Sequence, residues 1–181
     1  MIENFKFNSK EIEKIRNLSS KEKNFRIKNL ELFQAIGFPN KKIEDWKFSD
    51  FRTIVNSNFK KLDITSSPTK KVKINLIKDF EHNYIYLVNG NLFESDFKYE
   101  DKAKIKINSY DKNFDNEIYK NPLVFLNHAF ADSGFYLEVE GNYKFKKVLV
   151  IYNTFTDDMK DKIVNSKNKI EVKENSEIHI I

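Results

Sequence analysis

The spacing of apolar residues changes part-way along the chain, and this change limits most strongly what the sequence can fold into. Early in the chain, Ile12, Ile15 and Leu18 recur at the three-residue spacing of an amphipathic helix. From residue 72 onward, apolar and polar residues alternate instead, as they do in a half-buried strand. The sequence therefore predicts an α+β protein in which helices come first and strands follow.

Residues 1–62 are predicted to form a helical region. Ser9 is positioned to cap a first helix, and Ser19 with Glu22 has the spacing of a capping box that opens a second one. The second helix should end at Gly37, because glycine readily adopts the conformation that follows a helix. Its apolar stripe consists of Phe25, Leu30, Phe33 and Ile36.

The segment 37–50 holds the only tryptophan of the chain. Pro39 prevents direct continuation of the preceding helix. A further short helix is predicted from Trp46 to Ile54, with Trp46 and either Ile54 or Val55 on its buried side. These apolar stripes are typical of packing faces, and no catalytic role is needed to explain them.

Residues 63–134 are predicted to form a mixed segment of strands and one helix. A linker at 64–71 precedes an alternating strand at 72–76, and Asn89-Gly90 predicts a tight turn between two strands. Ile105 and Ile107 continue the strand pattern. Pro122 suits the first turn of a helix, which Ser133-Gly134 should end. The inner face of that helix would consist of Leu123, Leu126, Ala129 and Phe130.

Residues 135–181 are predicted to be strands throughout, at 137–139, 148–152, 170–172 and 178–181. Short strands with polar turns between them are typical of a sandwich, a barrel or a β-solenoid. The last strand is apolar and lacks a protective charge or cap, so it would leave an open edge. We therefore expect the sequence to be a truncated portion of a longer protein.

Composition excludes several kinds of chemistry. The 181 residues contain no cysteine, so disulfides, thiolate metal sites and cysteine nucleophiles are ruled out. His82, His128 and His179 lie far apart in sequence and form no ligand pair. The net charge of +5 comes mainly from dispersed lysines, with arginine only at positions 16, 26 and 52. We interpret this charge as a solvated surface and expect a cytoplasmic protein that binds neither nucleic acid nor membrane.

Two groups of polar residues resemble catalytic sets. His128, Asp132 and Ser133 are the residue types of a nucleophilic triad, but their position after a helical face favours the end of a helix. Glu44, Asp45 and Asp50 resemble paired acids, but they also suit the first turns of helices.

Other site types find little support in the sequence. Glu44, Asp45 and Asp50 suit helix N-termini because the helix dipole favours negative charge there. None of the four glycines stands in a phosphate-binding loop. Lys41-Lys42 and Lys146-Lys147 are small basic clusters that surface solvation explains.

Several segments, in order, resemble the SufD family of iron–sulfur cluster assembly proteins. Gly37-Phe38-Pro39 with EDWKFSDFR at 44–52 resembles the family's signature, in which Tyr and Thr usually stand where this chain has Phe48 and Ser49. VNGNL at 88–92 and LNHAFADSG at 126–134 resemble two further family segments, the latter with His128 in place of the usual Thr. Residues 169–172 and 176–181 resemble the family's first β-solenoid turns.

The resemblance implies a fold and a role. It implies an N-terminal helical region (1–62), a mixed segment (63–134) and, from 135 to 181, the first rungs of a right-handed parallel β-helix. In the family, a C-terminal helical region that docks the SufC ATPase and residues at the SufB interface come later than position 181. The resemblance thus implies a non-catalytic subunit of the SufB–SufC–SufD scaffold. We expect no catalytic, cofactor-binding or metal residue in this chain, although the complex assembles an iron–sulfur cluster.

Two other functions stay open from the residues alone. One is a fragment of a carbohydrate-acting β-solenoid enzyme, which would need acidic residues converging on one face; no such set is evident after Phe135. The other is a small basic adaptor for nucleic acid, whose binding would depend steeply on salt.

Overall fold

The computed structural model describes residues 7–15, 17–59, 63–64, 72–110 and 120–181. The chain forms two compact units, each built from three separate stretches. The helical unit takes in Met1–Ser66, Lys112–Asp132 and Lys160–Asn165. The sheet unit takes in Ser67–Asp111, Ser133–Met159 and Ser166–Ile181. In the described ranges, no helix has the length and apolar character needed to cross a membrane.

Four helices and one pair of short strands make up the described part of the helical unit. The helices are α1 (Ser9–Glu13), α2 (Ser20–Ile36), α3 (Phe51–Asn58) and α4 (Pro122–Phe130). Strand β1 (Asp63–Ile64) pairs in parallel with β7 (Lys162–Ile163). Helices α2 and α4 pack against each other, with Leu30, Phe33, Leu126 and Ala129 in their shared core.

The capping box at the start of α2 is confirmed. The Ser19 side chain accepts a hydrogen bond from the Glu22 amide at 3.2 Å, and the Glu22 carboxylate accepts one from the Ser19 amide at 2.6 Å. The helix ends at Ile36, and Gly37 follows with a φ of 75°. The predicted cap of α1 is wrong by one residue, because the side chain of Asn8 rather than that of Ser9 accepts the amide hydrogen bond there.

The helix predicted from Trp46 to Ile54 is wrong in its bounds. A 3₁₀ turn at Glu44–Trp46 comes first, and α3 begins only at Phe51. The reason is local, since the Asp50 side chain accepts a hydrogen bond from the Thr53 amide and caps α3. Val55 is the buried member of the predicted face.

Helix α4 begins at Pro122 as predicted, with Asn121 as its cap. Its end was predicted at Ser133-Gly134, and this is wrong. The helix stops at Phe130 because Ala131 already has an extended conformation, with ψ at 122°.

Aromatic rings form the centre of the helical core. Phe7 lies 5.7 Å from Phe33 and 5.8 Å from Phe130, measured between ring centroids. Phe38 lies 5.3 Å from Phe33, edge-on. Contacts of this kind add to the free energy that burial of the rings already supplies.

Two three-stranded sheets make up the described part of the sheet unit. The first has the order β3–β2–β6 and the second β4–β5–β8. Their strands are β2 (Asn83–Val88), β3 (Asn91–Asp96), β4 (Ile105–Ser109), β5 (Phe135–Val139), β6 (Leu149–Thr154) and β8 (Lys169–Val172). The core they share contains Ile85, Leu87, Phe135, Leu137 and Leu149, each fully buried.

The predicted turn at Asn89-Gly90 is confirmed. Both residues have positive φ, 51° and 82°, and they join β2 to β3 as an antiparallel hairpin. The strand predicted at 72–76 is wrong, since none of the described ladders includes it. The strand predicted at 178–181 is reduced to an isolated bridge between Leu149 and Ile180.

The parallel β-helix expected from residue 135 is wrong. In the described residues the sheets are small, mixed and neither closed nor coiled into a solenoid. The physical reason lies in the central strands, each of which has one parallel and one antiparallel neighbour. Strand β2 pairs antiparallel with β3 and parallel with β6, while β5 pairs antiparallel with β4 and parallel with β8.

Two stretches of the sheet unit, 133–144 and 166–177, run side by side in parallel, and partner residues are separated by an offset of 33 positions in sequence. Tyr136 lies opposite Lys169, and hydrogen bonds at the same separation join Tyr143 to Ser176 and Asn142 to Asn175. Asn142 and Asn175 both have positive φ, 59° and 57°, so two similar turns lie side by side. The offset aligns the segment after Ser133 with the segment after Ser166.

Candidate functional site

The triad-like residues occupy structural positions. His128 lies in the last turn of α4, buried, with its ring edge-on to that of Phe25 at 5.4 Å. The Asp132 amide donates to the carbonyl of Asn165 in the helical unit. Ser133 belongs to the sheet unit, where its carbonyl accepts from the Lys167 amide at 2.9 Å. These contacts give each residue a packing or backbone role.

The three acids of the tryptophan segment lie at helix starts, as the sequence pattern predicts. Glu44 and Asp45 occupy the 3₁₀ turn, and Glu44 forms an ion pair with Lys47. Asp50 caps α3. All of these side chains are committed to local contacts or exposed to solvent.

A buried carboxylate, Glu100, organises one end of the sheet unit. Its oxygens accept hydrogen bonds from the backbone amides of Lys146 and Lys147 at 3.0 Å. They also accept from the side chains of Asn83 at 2.8 Å and Tyr143 at 2.9 Å. Burial opposes the charge of Glu100, but these donors outweigh it and hold the pKa of the carboxyl below its ordinary value. The Lys146-Lys147 cluster thus has a backbone role that the sequence pattern does not indicate.

His82 and Tyr152 form a hydrogen-bonded pair in the sheet unit. His82 Nδ1 lies 2.9 Å from the Phe80 carbonyl, so this nitrogen carries the proton that it donates. In the neutral ring Nε2 is then an acceptor, and the Tyr152 hydroxyl donates to it at 2.8 Å. The hydroxyl oxygen accepts in turn from the Ile77 amide at 3.1 Å. The ring of Tyr152 stacks on that of Tyr86 at 5.6 Å.

Charged side chains of β4 and β5, and of the residues that directly follow β5 and β8, converge beside the β4–β5–β8 sheet. We call Glu138, Glu140, Lys106 and Lys173 the carboxylate–lysine cluster. Lys173 Nζ lies 2.7 Å from Glu138 and 2.9 Å from Glu140, and Lys106 Nζ lies 3.2 Å and 3.0 Å from the same two carboxylates.

The Tyr136 hydroxyl links this cluster to a third carboxylate. It lies within hydrogen-bond distance of Glu138, at 3.2 Å, and of Glu171, at 3.0 Å. Glu138 and Glu171 are direct partners in the β5–β8 register and therefore project from the same face. The expectation that acids do not converge after Phe135 is wrong in this respect.

The electrostatics of the cluster argue against proton donation. Hydrogen bonds from Lys173 and then Lys106 lower the pKa of Glu138 to about 2, and the same two lysines lower the pKa of Glu140. Burial, with Glu171 and Glu138 nearby, raises the pKa of Tyr136 to about 12. A glycosidase needs one carboxyl whose pKa is raised enough to hold a proton near neutral pH. The carboxylate–lysine cluster supplies ion pairs and no such acid.

The sequence offers a weak signal for this cluster. Lys106, Tyr136, Glu138 and Glu171 occupy the polar positions of their alternating strands. Which strands pair, and in which register, cannot be obtained from that alternation. Across the described ranges, no group of three histidine or carboxylate side chains is placed to hold a metal ion.

The segments that resemble SufD provide packing and turn residues. Phe38 is buried among the aromatic rings of the helical core, and the ring of Trp46 lies 5.5 Å from that of Phe51. Phe48, two residues after Trp46, is 90% exposed. Gly134, which ends the 126–134 segment, lies directly against the backbone of Lys167.

The chain matches no model of a known protein family, and it matches none of the curated proteins.

Proposed function

We propose that this chain is part of a non-catalytic, cytoplasmic subunit of a SufB–SufC–SufD-type scaffold for iron–sulfur cluster assembly. The proposal rests on the segments 37–52, 88–92 and 126–134, which resemble SufD and follow one another in the family's order. The proposal concerns the role of the subunit only. It does not depend on a β-helix in residues 135–181.

The observation that carries the proposal is the position of the 126–134 segment. Leu126, Ala129, Phe130 and Ala131 are buried in the helical core, and Gly134 lies against a backbone in the sheet unit. The segment therefore shapes the fold in both units. Such a role suits a subunit whose contribution is architecture rather than chemistry.

A co-purification experiment tests the proposal. The product of the complete gene, which would include the partner-binding regions that the resemblance places after position 181, is tagged and co-expressed with SufB and SufC encoded by the same genome, and the complex is examined by size-exclusion chromatography. We expect the three proteins to elute together in a fixed ratio that persists at high salt. Elution of the folded chain apart from both partners would overturn the proposal.

Two controls make the result interpretable. Lys28→Ala changes an exposed side chain of α2 and should leave co-elution unchanged. Gly134→Ala disturbs the sheet unit and should reduce co-elution in proportion to the loss of folded protein. Retention of the chain on immobilised DNA that disappears steeply with salt, without binding to SufB or SufC, would instead favour the nucleic-acid adaptor.

A further inference from the structure

Residues 72–82 lead into β2 without belonging to any described strand. We call this segment the strap. Among the described residues, no hydrogen bond between backbone groups joins the strap to the rest of the sheet unit. None of residues 72–81 is buried, and Ile77 and Phe80 are 42% and 41% exposed. The strap is therefore held by few contacts, which is typical of segments that open locally.

A cavity of about 630 Å³ lies along the strap. The strap contributes Leu76 and Phe80 to its lining, and Tyr84 and Tyr99 line it from the rest of the sheet unit. Side chains that border a cavity lack protein neighbours on that side and gain less from dispersion. Displacement of the strap would therefore break few close contacts.

Both hydrogen bonds that attach the strap to a strand meet at one group, the hydroxyl of Tyr152 in β6. Its oxygen accepts from the Ile77 amide at 3.1 Å, and its proton is donated to His82 Nε2 at 2.8 Å. The other polar attachment that the described residues show is an ion pair of Glu81 with Lys147 at 2.9 Å. Both of these side chains are open to solvent, and ion pairs of that kind contribute little stability. The Tyr152 hydroxyl is thus the main polar attachment of the strap.

A proton on His82 would reverse one of these bonds. Histidine ordinarily changes charge between about pH 5 and 8. Nδ1 of His82 already donates to the Phe80 carbonyl at 2.9 Å, so a second proton can enter only at Nε2. Nε2 then becomes a donor, and the Tyr152 hydroxyl proton loses its acceptor. His82 is only 8% exposed, so the new positive charge would be buried.

In the described contacts, no anionic group compensates that charge. The ionisable side chains that line the same cavity are Lys78, Asp79 and Glu81 of the strap, Tyr84 of β2, and Lys98 and Tyr99 after β3. The Tyr84 hydroxyl donates to Glu94, and Asp96 lies opposite Tyr84 in the register. Within the part of the chain that the structure describes, none of these groups forms a hydrogen bond or an ion pair with the His82 ring. A buried cation without a partner, together with a hydroxyl without an acceptor, opposes the closed arrangement.

We propose that the strap is a pH-sensitive lid, closed along the cavity while His82 is neutral and open when His82 is protonated. In the open state His82 moves into water with the strap, and the Ile77 amide exchanges the Tyr152 hydroxyl for water. The cavity then becomes an open cleft. Strands β2 and β6 stay paired, because their parallel ladder runs from Asn83 to Val88 and does not include the strap.

Amide exchange and ring titration, followed by NMR on the full chain, test the proposal. Exchange rates at Ile77 are divided by those of an unprotected peptide at the same pH, which removes the intrinsic pH dependence of exchange. We expect the protection of Ile77 to fall by about five-fold or more between pH 7.5 and pH 5, with the midpoint at which the His82 ring titrates. Leu87, buried in β2, should keep its protection throughout.

Variants identify the group responsible. His82→Gln cannot take up the proton and should make the protection of Ile77 independent of pH over this range. Tyr152→Phe removes both bonds and should leave Ile77 unprotected at either pH. His179→Gln, at an exposed histidine of the same unit, is the matched control and should retain the wild-type profile. Glu81→Gln should retain it as well, because the ion pair is not the attachment that the proton changes.

Three results would overturn the proposal. One is constant protection of Ile77 while the His82 ring titrates. Another is a His82 ring that stays neutral down to about pH 5. The third is a loss of protection at Leu87 in step with Ile77, because it would show unfolding of the sheet unit rather than opening of the strap.

Discussion

Gly134 lies so close to Lys167 that a Cβ atom at position 134 would stand 2.0 Å from the Lys167 carbonyl oxygen. Its φ of 124° also falls in a region that residues other than glycine rarely adopt. The close approach coincides with the backbone hydrogen bond from the Lys167 amide to the Ser133 carbonyl at 2.9 Å. Glycine is therefore required here by space and by conformation together.

Gly134→Ala is expected to reduce the free energy of unfolding by at least about 2 kcal/mol, because the new methyl group meets backbone rather than a movable side chain. Gly141→Ala is the matched control, since the nearest atom to its Cβ would be 3.4 Å away. Urea unfolding measures both. An equal loss of stability in the two variants would contradict the role given to Gly134.

Glu100→Ala should be among the most destabilising single changes in the sheet unit. It leaves two backbone amides and the side chains of Asn83 and Tyr143 without their shared acceptor, at a cost of about 3 kcal/mol. Glu100→Gln, which retains one acceptor oxygen, should fall between wild type and alanine. Glu174→Ala at an exposed turn should have little effect on thermal unfolding. Similar melting temperatures for Glu100→Ala and wild type would refute this prediction.

Ser19→Ala should lower stability by about 1 kcal/mol, because the Glu22 amide loses the oxygen that accepts its hydrogen bond. Ser20→Ala, one residue further into α2 and exposed, should be close to neutral. Chemical denaturation compares the two, and helix protection can be followed by hydrogen exchange at the Glu22 amide. Equal effects at positions 19 and 20 would show that the capping box contributes nothing.

Glu138 should make stability depend on acid pH. Its pKa is lowered from an ordinary 4.5 to about 2 in the folded chain, so the unfolded chain binds the proton more readily. The stabilisation is present above about pH 4.5 and is lost as the pH falls toward 2. Glu138→Gln should therefore unfold more easily at pH 7 and show a flatter stability profile between pH 4.5 and 2. Profiles that run parallel for variant and wild type would contradict the assignment.

Tyr152→Phe should release the Ile77 amide, which otherwise donates to the hydroxyl. We expect faster hydrogen exchange at Ile77 with the stacking on Tyr86 retained. In wild type, nitrogen NMR of His82 should show the neutral ring protonated at Nδ1, because that atom faces the Phe80 carbonyl. Tyr99→Phe is the control for loss of a hydroxyl. A ring protonated at Nε2 alone would contradict the described hydrogen-bond chain.

Local features of the fold could be predicted from the sequence, because their causes lie within a few residues. The capping box at Ser19, the end of α2 at Gly37, the start of α4 at Pro122 and the Asn89-Gly90 turn each follow from neighbouring side chains. The helix predicted from Trp46 to Ile54 has wrong bounds because another local contact decides where it begins. Asp50 caps α3 and thereby moves its start beyond Trp46.

Strand pairing could not be predicted in the same way. Alternation locates a strand such as 137–139 but does not say whether its neighbour runs parallel or antiparallel. The carboxylate–lysine cluster depends on that choice, because Lys106 reaches Glu138 only across the antiparallel β4–β5 pair. Glu100 likewise obtains three of its donors, those of Tyr143, Lys146 and Lys147, from residues more than forty positions away.

The division of each unit among three stretches of chain has a kinetic consequence. Strand β5 must find β4 on one side and β8 on the other, and long loops have to close before either pairing contributes stability. Folding should therefore be slow for a chain of this length. Neither unit can be produced from one contiguous piece of the gene. A single cleavage of the chain between Met159 and Lys160 would separate the last stretch of each unit from its other two stretches.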